Sequence, residues 1–113
     1  MRIAVVGTGY VGLVVGACLA ENGNEVICVD NNAPKVRSLK RGRIPIYEPG
    51  LEELVVRNQR EKRLSFSTAL PRAVRASQIV FIAVGTPPGD DGAADLKYVV
   101  EVARNLARAM NGY

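Results

Sequence analysis

The stretch Arg2-Ile3-Ala4-Val5-Val6-Gly7-Thr8-Gly9-Tyr10-Val11-Gly12 decides the fold of this 113-residue chain. Its first half, residues 2–6, is mostly apolar and β-branched, which predicts a buried strand. The glycine-rich second half predicts a tight turn, and the apolar pattern over residues 11–20 predicts a helix that ends near Gly23. A strand, a turn and a helix in this order predict the opening unit of a parallel α/β sheet.

Strands and helices alternate along the rest of the chain. Residues 25–30 and 78–84 are apolar runs that predict buried strands, the second suited to the centre of a sheet, and Leu64 and Phe66 alternate with serines as in an edge strand. Further helices are predicted over 31–42, 51–55, 69–76 and 96–110, the last capped by Asp95. This alternation requires right-handed crossovers, so we predict a Rossmann-like, doubly wound parallel sheet with strand order 3-2-1-4.

The glycines of the first turn follow the pattern GxGxxG, in which each glycine has its own task. Gly7 permits the sharp turn, Gly9 lets the backbone approach a pyrophosphate, and Gly12 lets the helix lie close to the sheet. The backbone N–H groups of Tyr10 and Val11 are placed to bind phosphate, while their side chains are expected to pack. Glycines that only make a tight turn are the alternative, which the setting between strand and helix disfavours.

An acidic residue completes this pattern. Asp30 lies 18 residues after Gly12, at the end of the second predicted strand. Its carboxylate can accept hydrogen bonds from the ribose hydroxyls of adenosine, and its charge repels a 2′-phosphate, so we predict NAD rather than NADP as the cofactor. Lys35, in the first turn of the next helix, has three open interpretations: it neutralises Asp30, it reaches the cofactor, or it is solvated.

The composition excludes several other classes of protein. Apolar residues make up 48% and charged residues 23% of the chain, as in a globular domain, and the apolar runs are too short for a membrane span. The chain has no histidine, and its two cysteines lack metal-ligand spacing, so no metal site is predicted. Cys18 and Cys28 are expected to be buried and unreactive. Without a signal peptide or a disulfide framework, a cytoplasmic location is expected.

The net charge of +4 is concentrated in the middle of the chain. Residues 33–63 contain nine Lys or Arg against four Glu. Two solvated helix faces are one interpretation, and nucleic-acid binding is the sharper alternative. That alternative has little support, because Tyr47 is the only aromatic residue of this segment that could stack on a base. We therefore predict neither a nucleic acid nor a membrane as partner.

Several motifs together give the chain a resemblance to a known family of enzymes. They are Gly7-Thr8-Gly9-Tyr10-Val11-Gly12-Leu13, Val29-Asp30, Lys35-Val36, Pro45-Ile46-Tyr47-Glu48-Pro49-Gly50-Leu51, Val84-Gly85-Thr86-Pro87 and Asp91-Gly92-Ala93-Ala94-Asp95-Leu96. Over residues 1 to about 100 the chain resembles the UDP-glucose/GDP-mannose dehydrogenase family, and within it the UDP-glucose 6-dehydrogenases. Many dehydrogenases share the first motif, whereas the loop 45–51 and the segment 85–96 are far more specific.

The resemblance implies an enzyme that oxidises UDP-glucose to UDP-glucuronate in two NAD-dependent steps. It also implies cofactor contacts at Val11, Asp30, Lys35, Gly85 and Thr86. For Thr86, a Thr-Pro turn without a ligand stays open as the alternative. A UDP-N-acetyl-sugar or GDP-mannose dehydrogenase is the nearest other possibility, and only the loop around Tyr47 favours UDP-glucose.

The resemblance further implies that the catalytic residues lie elsewhere. The family's catalytic cysteine, lysine and acidic partners come from later segments, so no catalytic residue is expected in residues 1–113. The chain is expected to be the N-terminal NAD-binding domain of a longer enzyme, truncated before the later strands, which alone binds NAD weakly or not at all. The domains that bind UDP-glucose would be absent, and the parent would be a homodimer or larger, active in nucleotide-sugar metabolism and polysaccharide biosynthesis. The alternative outside the enzymes is a stand-alone module that senses NAD or binds a partner and has no catalytic activity.

Overall fold

The computed structural model describes residues 1–44, 48–83 and 104, and strands alternate with helices in this part of the chain. The strands are β1 (Arg2–Val6), β2 (Glu25–Val29), β3 (Leu64–Ser67) and β4 (Ile79–Ile82). The helices are α1 (Tyr10–Glu21), α2 (Ala33–Lys40), α3 (Leu51–Arg60) and α4 (Leu70–Arg75). Each element that the sequence predicts within these residues is therefore present.

All four strands pair in parallel in the order β3-β2-β1-β4, which confirms the predicted topology. In the middle of β1, Val5 lies opposite Cys28 of β2 on one side and Phe81 of β4 on the other. Because parallel strands end at the same edge of a sheet, the residues that follow β1 and β2 meet there. The N–H of Gly7 donates a hydrogen bond of 2.7 Å to the carbonyl oxygen of Val29, which joins the two strand ends directly.

Helices cover both faces of this sheet. One face packs against α1, α2 and α3, where Leu13 and Leu39 are almost completely buried. Burial of a leucine side chain of this kind contributes about 2 kcal/mol to folding. The other face packs against α4 through Ala4 and Ala73. The core therefore lies on both sides of β1 and β2 and holds their carboxyl ends in a fixed position.

Gly16 brings α1 into close contact with β2. A Cβ atom at Gly16 would lie 2.7 Å from the Sγ atom of Cys28, which is closer than real Cβ atoms come to other heavy atoms. Burial raises the pKa of the Cys28 thiol to about 12, so the thiol stays protonated and unreactive at neutral pH. The expectation of a buried, inert cysteine is confirmed at this position.

A double-mutant cycle tests this contact. Gly16→Ala is expected to lower the free energy of unfolding by about 1–3 kcal/mol, because the new methyl group overpacks the space beside Cys28. Cys28→Ala removes the sulfur, so the double variant is expected to be more stable than the sum of the single changes predicts. Urea unfolding of the four proteins measures the coupling, and strict additivity would contradict the contact.

Cys18 is exposed, so the expectation that it is buried against the sheet was wrong. The buried face of α1 consists of Gly12, Leu13, Gly16, Ala17 and Ala20. Cys18 follows Ala17 directly, and one residue turns an α-helix by about 100°. Its side chain therefore lies outside the stripe that faces the core, although the helix itself packs closely.

β4 lies at an edge of the sheet in the described part of the chain. Its uninterrupted apolar run predicts a central strand, whereas in the described part of the chain it pairs with β1 at an edge of the sheet. Ile79, Phe81 and Ile82 are each 39–42% exposed. Hydrophobicity on both faces indicates that a strand can be buried, but burial itself requires neighbours on both sides. The predicted strand order, which places β4 last, is correct.

The basic segment 33–63 fits the interpretation of solvated helix faces. Arg37 and Lys40 lie in the last turn of α2, and Arg57 and Arg60 lie in the last turn of α3. Positive side chains at these positions interact favourably with the negative end of the helix dipole. Arg57 also forms an ion pair of 2.9 Å with Glu21 of α1. The positive charge therefore has a structural explanation that needs no nucleic acid.

Some predicted features lie outside the described residues. They are Pro45, Ile46 and Tyr47 of the family-specific loop, Gly85 and Thr86 after β4, and the predicted helix 96–110 with its cap Asp95. Arg104, which lies in that last segment and is described, is helical.

Candidate functional site

The turn between β1 and α1 depends on a glycine at its first position. Gly7 has a φ of 110°, in the region that L side chains rarely adopt. This conformation takes the chain from the end of β1 directly into α1. Gly7 thus has the turn conformation that the sequence predicts.

Gly12 lies where α1 passes over this turn. A Cβ atom at Gly12 would lie 2.9 Å from the carbonyl carbon of Gly7 and closer still to its oxygen. Both are backbone atoms, which cannot rotate away as a flexible side chain can. The close approach predicted for Gly12 is present, and the turn itself is what the helix contacts most closely.

Gly9 differs from both of these glycines. Its φ of −74° is open to any residue, and a Cβ atom there would meet no atom of the described residues within 4 Å. The fold of the chain therefore does not require a glycine at this position. A ligand that comes close to the backbone would require one, and the open space at the helix N-terminus suits a pyrophosphate.

The N-terminus of α1 offers N–H groups to an anion. The hydrogen bond from Leu13 N–H to Gly9 O, at 3.0 Å, closes the first turn, so the N–H groups of Tyr10, Val11 and Gly12 precede it. Gly9 has no side chain to cap them, and no acidic residue lies in the first turn. By contrast, an asparagine side chain caps α2. The positive end of the α1 dipole is therefore left for a negatively charged ligand.

The side chains of Tyr10 and Val11 do not pack against the protein as the sequence suggested. They are 50% and 59% exposed. Both lie in the first turn of α1, whose buried face is made by other residues. Two large apolar side chains therefore lie on the surface directly beside the open space at Gly9.

Asp30 follows β2 directly and is tied to the glycine-rich turn. Its Oδ2 atom accepts hydrogen bonds from the backbone N–H of Thr8 at 3.1 Å and from the Thr8 hydroxyl at 2.7 Å. Its Oδ1 atom accepts a hydrogen bond from the N–H of Asn32 at 2.9 Å. The turn that is predicted to bind phosphate and the carboxylate that is predicted to bind ribose are thus directly connected.

Asp30 is ionised at neutral pH. Burial raises the pKa of its carboxyl group, but the hydrogen bonds from Thr8 and Asn32 and the positive charge of Lys35 together outweigh burial and lower the pKa below its ordinary value. Asp30 therefore acts as a hydrogen-bond acceptor with a full negative charge. The half-buried Lys35 acts electrostatically on Asp30, which supports the first of its three interpretations.

The lowered pKa of Asp30 predicts a specific acid sensitivity. A carboxyl group with a lower pKa in the folded state stabilises the fold fully above its unfolded pKa, at about pH 4, and loses this effect as the pH falls through the folded pKa. Asp30→Asn is expected to make the free energy of unfolding less dependent on pH below about pH 4. Urea unfolding across this range measures the effect. Glu25→Gln, at the exposed start of β2, is the matched control, and an equal response of both variants would contradict the assignment.

Thr8 is the residue that sequence reasoning missed. Its side chain is completely buried, with 0% exposed. Thr8 supplies two of the three hydrogen bonds to Asp30 described above, one from its backbone N–H and one from its hydroxyl. Its position falls between two glycines, where the GxGxxG pattern accepts any residue. The only signal in the sequence is the presence of a hydroxyl group there.

Neither metal nor membrane features occur in the described part of the chain. Residues 1–44 and 48–83 contain no group of three or more His, Cys, Asp or Glu side chains that could hold a metal ion. Among the helices described, none is long and apolar enough to cross a membrane.

The strand order and the direct link between the first turn and Asp30 define a class of protein, the Rossmann-type dinucleotide-binding domains. Comparison with known proteins narrows the class to a family. The family model described as "UDP-glucose/GDP-mannose dehydrogenase family, NAD binding domain" matches residues 1–113. The chain therefore belongs to the UDP-glucose/GDP-mannose dehydrogenase family, and the matched part is its NAD-binding domain.

Individual relatives agree with this assignment. The UDP-glucose 6-dehydrogenase TuaD of Bacillus subtilis strain 168 is 55% identical over 112 residues, which is 99% of this chain and 24% of the relative. The UDP-glucose 6-dehydrogenase of Rhizobium meliloti strain 1021 is 51% identical over 114 residues, 100% of this chain and 26% of the relative. A crystal structure of a ternary complex of GDP-mannose dehydrogenase from Pseudomonas aeruginosa has a TM-score of 0.94 at 43% identity, covering 97% of this chain and 25% of that one. The chain thus spans about a quarter of the length of these relatives.

Proposed function

We propose that this chain is the NAD-binding domain of an enzyme that oxidises UDP-glucose to UDP-glucuronate in two NAD-dependent steps. The observation that carries the proposal is the ionised Asp30 carboxylate beside the open N-terminus of α1. The choice of UDP-glucose is supported by identities of 55% and 51% to two UDP-glucose 6-dehydrogenases, against 43% to a GDP-mannose dehydrogenase. When bound at this site, NAD would supply the chemistry of a hydride acceptor.

The residues of the site fit the two halves of the adenosine diphosphate part of NAD. The pyrophosphate would lie in the open space at Gly9, within reach of the N–H groups of Tyr10 and Val11. The adenosine ribose would donate a hydrogen bond to Asp30, whose charge also disfavours the 2′-phosphate of NADP. Contacts from Gly85 and Thr86 are proposed from the family resemblance alone.

The remaining steps of the reaction are proposed for other parts of the enzyme. We place the residues that bind the sugar and carry out catalysis in the three quarters of the relatives' length that this chain does not span. This domain would hold and orient the cofactor for them, in a parent enzyme that forms a homodimer or a larger assembly. A cytoplasmic location is supported by the two cysteines, which are both free.

A titration followed by NMR tests the cofactor site. Addition of NAD to the ¹⁵N-labelled chain is expected to shift the amide signals of Gly9, Tyr10 and Val11, with a dissociation constant of roughly 0.1–10 mM. NADP is expected to bind at least roughly tenfold more weakly than NAD. Asp30→Ala is expected to weaken NAD binding roughly 10- to 100-fold, because a charge-assisted hydrogen bond is lost.

Glu25→Ala serves as the matched control, since it removes a carboxylate from the opposite end of the same strand. It is expected to leave NAD binding unchanged. Equal NAD binding by the wild type and a folded Asp30→Ala variant would contradict the proposed function.

A further inference from the structure

The position of Asp30 is fixed through both its backbone and its side chain. Its N–H donates a hydrogen bond of 3.1 Å to the carbonyl oxygen of Ser67 at the end of β3. Its carboxylate accepts from Thr8 on one oxygen and from Asn32 on the other. Among the donors to the carboxylate, only the Thr8 hydroxyl belongs to a side chain. A residue without a hydroxyl at position 8 would therefore remove this hydrogen bond and leave the backbone ones in place.

The acceptor capacity of the carboxylate then limits what a ligand can use. A carboxylate offers about four acceptor sites, two on each oxygen. Thr8 occupies both sites of Oδ2 through its N–H and its hydroxyl, and Asn32 occupies one site of Oδ1. Among the described residues, nothing occupies the second site on Oδ1. The Thr8 hydroxyl lies in a completely buried side chain, so water does not compete with this arrangement.

We infer that Thr8 is a positioning residue for NAD. The Thr8 hydroxyl holds Oδ2 of Asp30, so that Oδ1 is presented to the adenosine ribose. This inference rests on the proposed function, because it assigns a role to a residue of the same site. Thr8 has no need to touch the ligand, since it acts through Asp30. A carboxylate that is already oriented loses less rotational freedom when the ribose binds, which strengthens binding.

Three substitutions at this position separate the hydroxyl from the packing. Thr8→Val keeps the shape of the buried side chain and removes the hydroxyl, Thr8→Ala removes hydroxyl and bulk, and Thr8→Ser keeps the hydroxyl. The measurements are NAD affinity by NMR titration and the pH titration of the Asp30 carboxyl carbon. Thr8→Val is expected to weaken NAD binding roughly three- to tenfold and to raise the pKa of Asp30, since a hydrogen bond to the charged form is lost. Thr8→Ser is expected to keep both values close to those of the wild type.

The outcomes distinguish the inference from the proposed function. If the wild type binds NAD and Thr8→Val binds it equally well, the inference is overturned while the proposed function stands. If Thr8→Val weakens NAD binding without moving the Asp30 titration, Thr8 acts through packing alone and the inference is likewise overturned. Should Thr8→Val fail to fold, the comparison of Thr8→Ser with Thr8→Ala isolates the hydroxyl, because both variants lack the threonine methyl group. If the wild-type chain alone does not bind NAD, the Asp30 titration decides, and the inference is overturned when Thr8→Val leaves that titration unchanged. Equal NAD binding by the wild type and a folded Asp30→Ala variant overturns the proposed function and the inference with it.

Discussion

Gly12→Ala is expected to lower the free energy of unfolding by about 3 kcal/mol, at the upper end of the usual cost of overpacking. The new methyl carbon would lie 2.9 Å from the carbonyl carbon of Gly7 and closer still to its oxygen. No change of rotamer relieves this clash, because alanine has none and the opposing atoms belong to the backbone. The helix must move away from the turn, and this movement disrupts the packing of Leu13 and Ala17 in the core. Urea unfolding of the variant and the wild type measures the loss.

Gly23→Ala separates this clash from the general effect of replacing a glycine. Gly23 follows the end of α1 with a φ of 97°, and a Cβ atom there would meet nothing within 4 Å in the described part of the chain. Its replacement is therefore expected to cost about 1 kcal/mol from backbone strain alone. Equal stability losses for the two variants would show that the close approach of α1 to the turn contributes nothing beyond glycine's conformational freedom.

The fold was predictable from sequence because its signals are local and repeated. Residues 2–6 and 25–29 are short β-branched runs, and each is followed by a helical pattern of apolar residues. Parallel pairing and right-handed crossovers then leave few topologies, of which the order 3-2-1-4 is the one found. These rules concern the chain as a whole and do not depend on the position of any single side chain.

The errors arose where the environment of a residue depends on distant neighbours. Cys18 was expected to be buried because its helix is, although its own direction from the helix axis leaves it exposed. Tyr10 and Val11 were expected to pack because they begin an apolar helix, although both lie outside its buried stripe and are 50% and 59% exposed. In both cases, composition indicated which segments contact the core but not which side chains do.

Two glycines of the candidate site were predictable from the sequence, since each has a physical reason tied to its position. Gly7 and Gly12 have the conformation and the close approach that the motif implies. The bond between Thr8 and Asp30 was not predictable, because it joins two residues 22 positions apart through a single hydroxyl. Only the pairing of β1 with β2 brings these residues together.

Gly9→Ala is expected to leave the fold intact and to weaken NAD binding roughly 10- to 100-fold, the cost of forcing a pyrophosphate away from one or two charge-assisted N–H contacts. The reason is the contrast with Gly12: a Cβ atom at Gly9 meets no atom of the residues that the structure describes within 4 Å, and the φ of −74° suits alanine. The methyl group would occupy the space through which phosphate reaches the N–H groups of Tyr10 and Val11.

Two measurements on the same variant separate the two effects of this substitution. Urea unfolding is expected to place the stability of Gly9→Ala within about 1 kcal/mol of the wild type, since that is the usual cost of alanine at a helix N-cap, where glycine is clearly preferred. The NMR titration is expected to show the loss of NAD affinity at the same time. Unchanged affinity in a folded variant would mean that the phosphate does not approach Gly9, and a large loss of stability would mean that the open space beside it is needed by the protein itself. The opposite responses expected of Gly9 and Gly12 therefore distinguish the glycine required by the ligand from the one required by the fold.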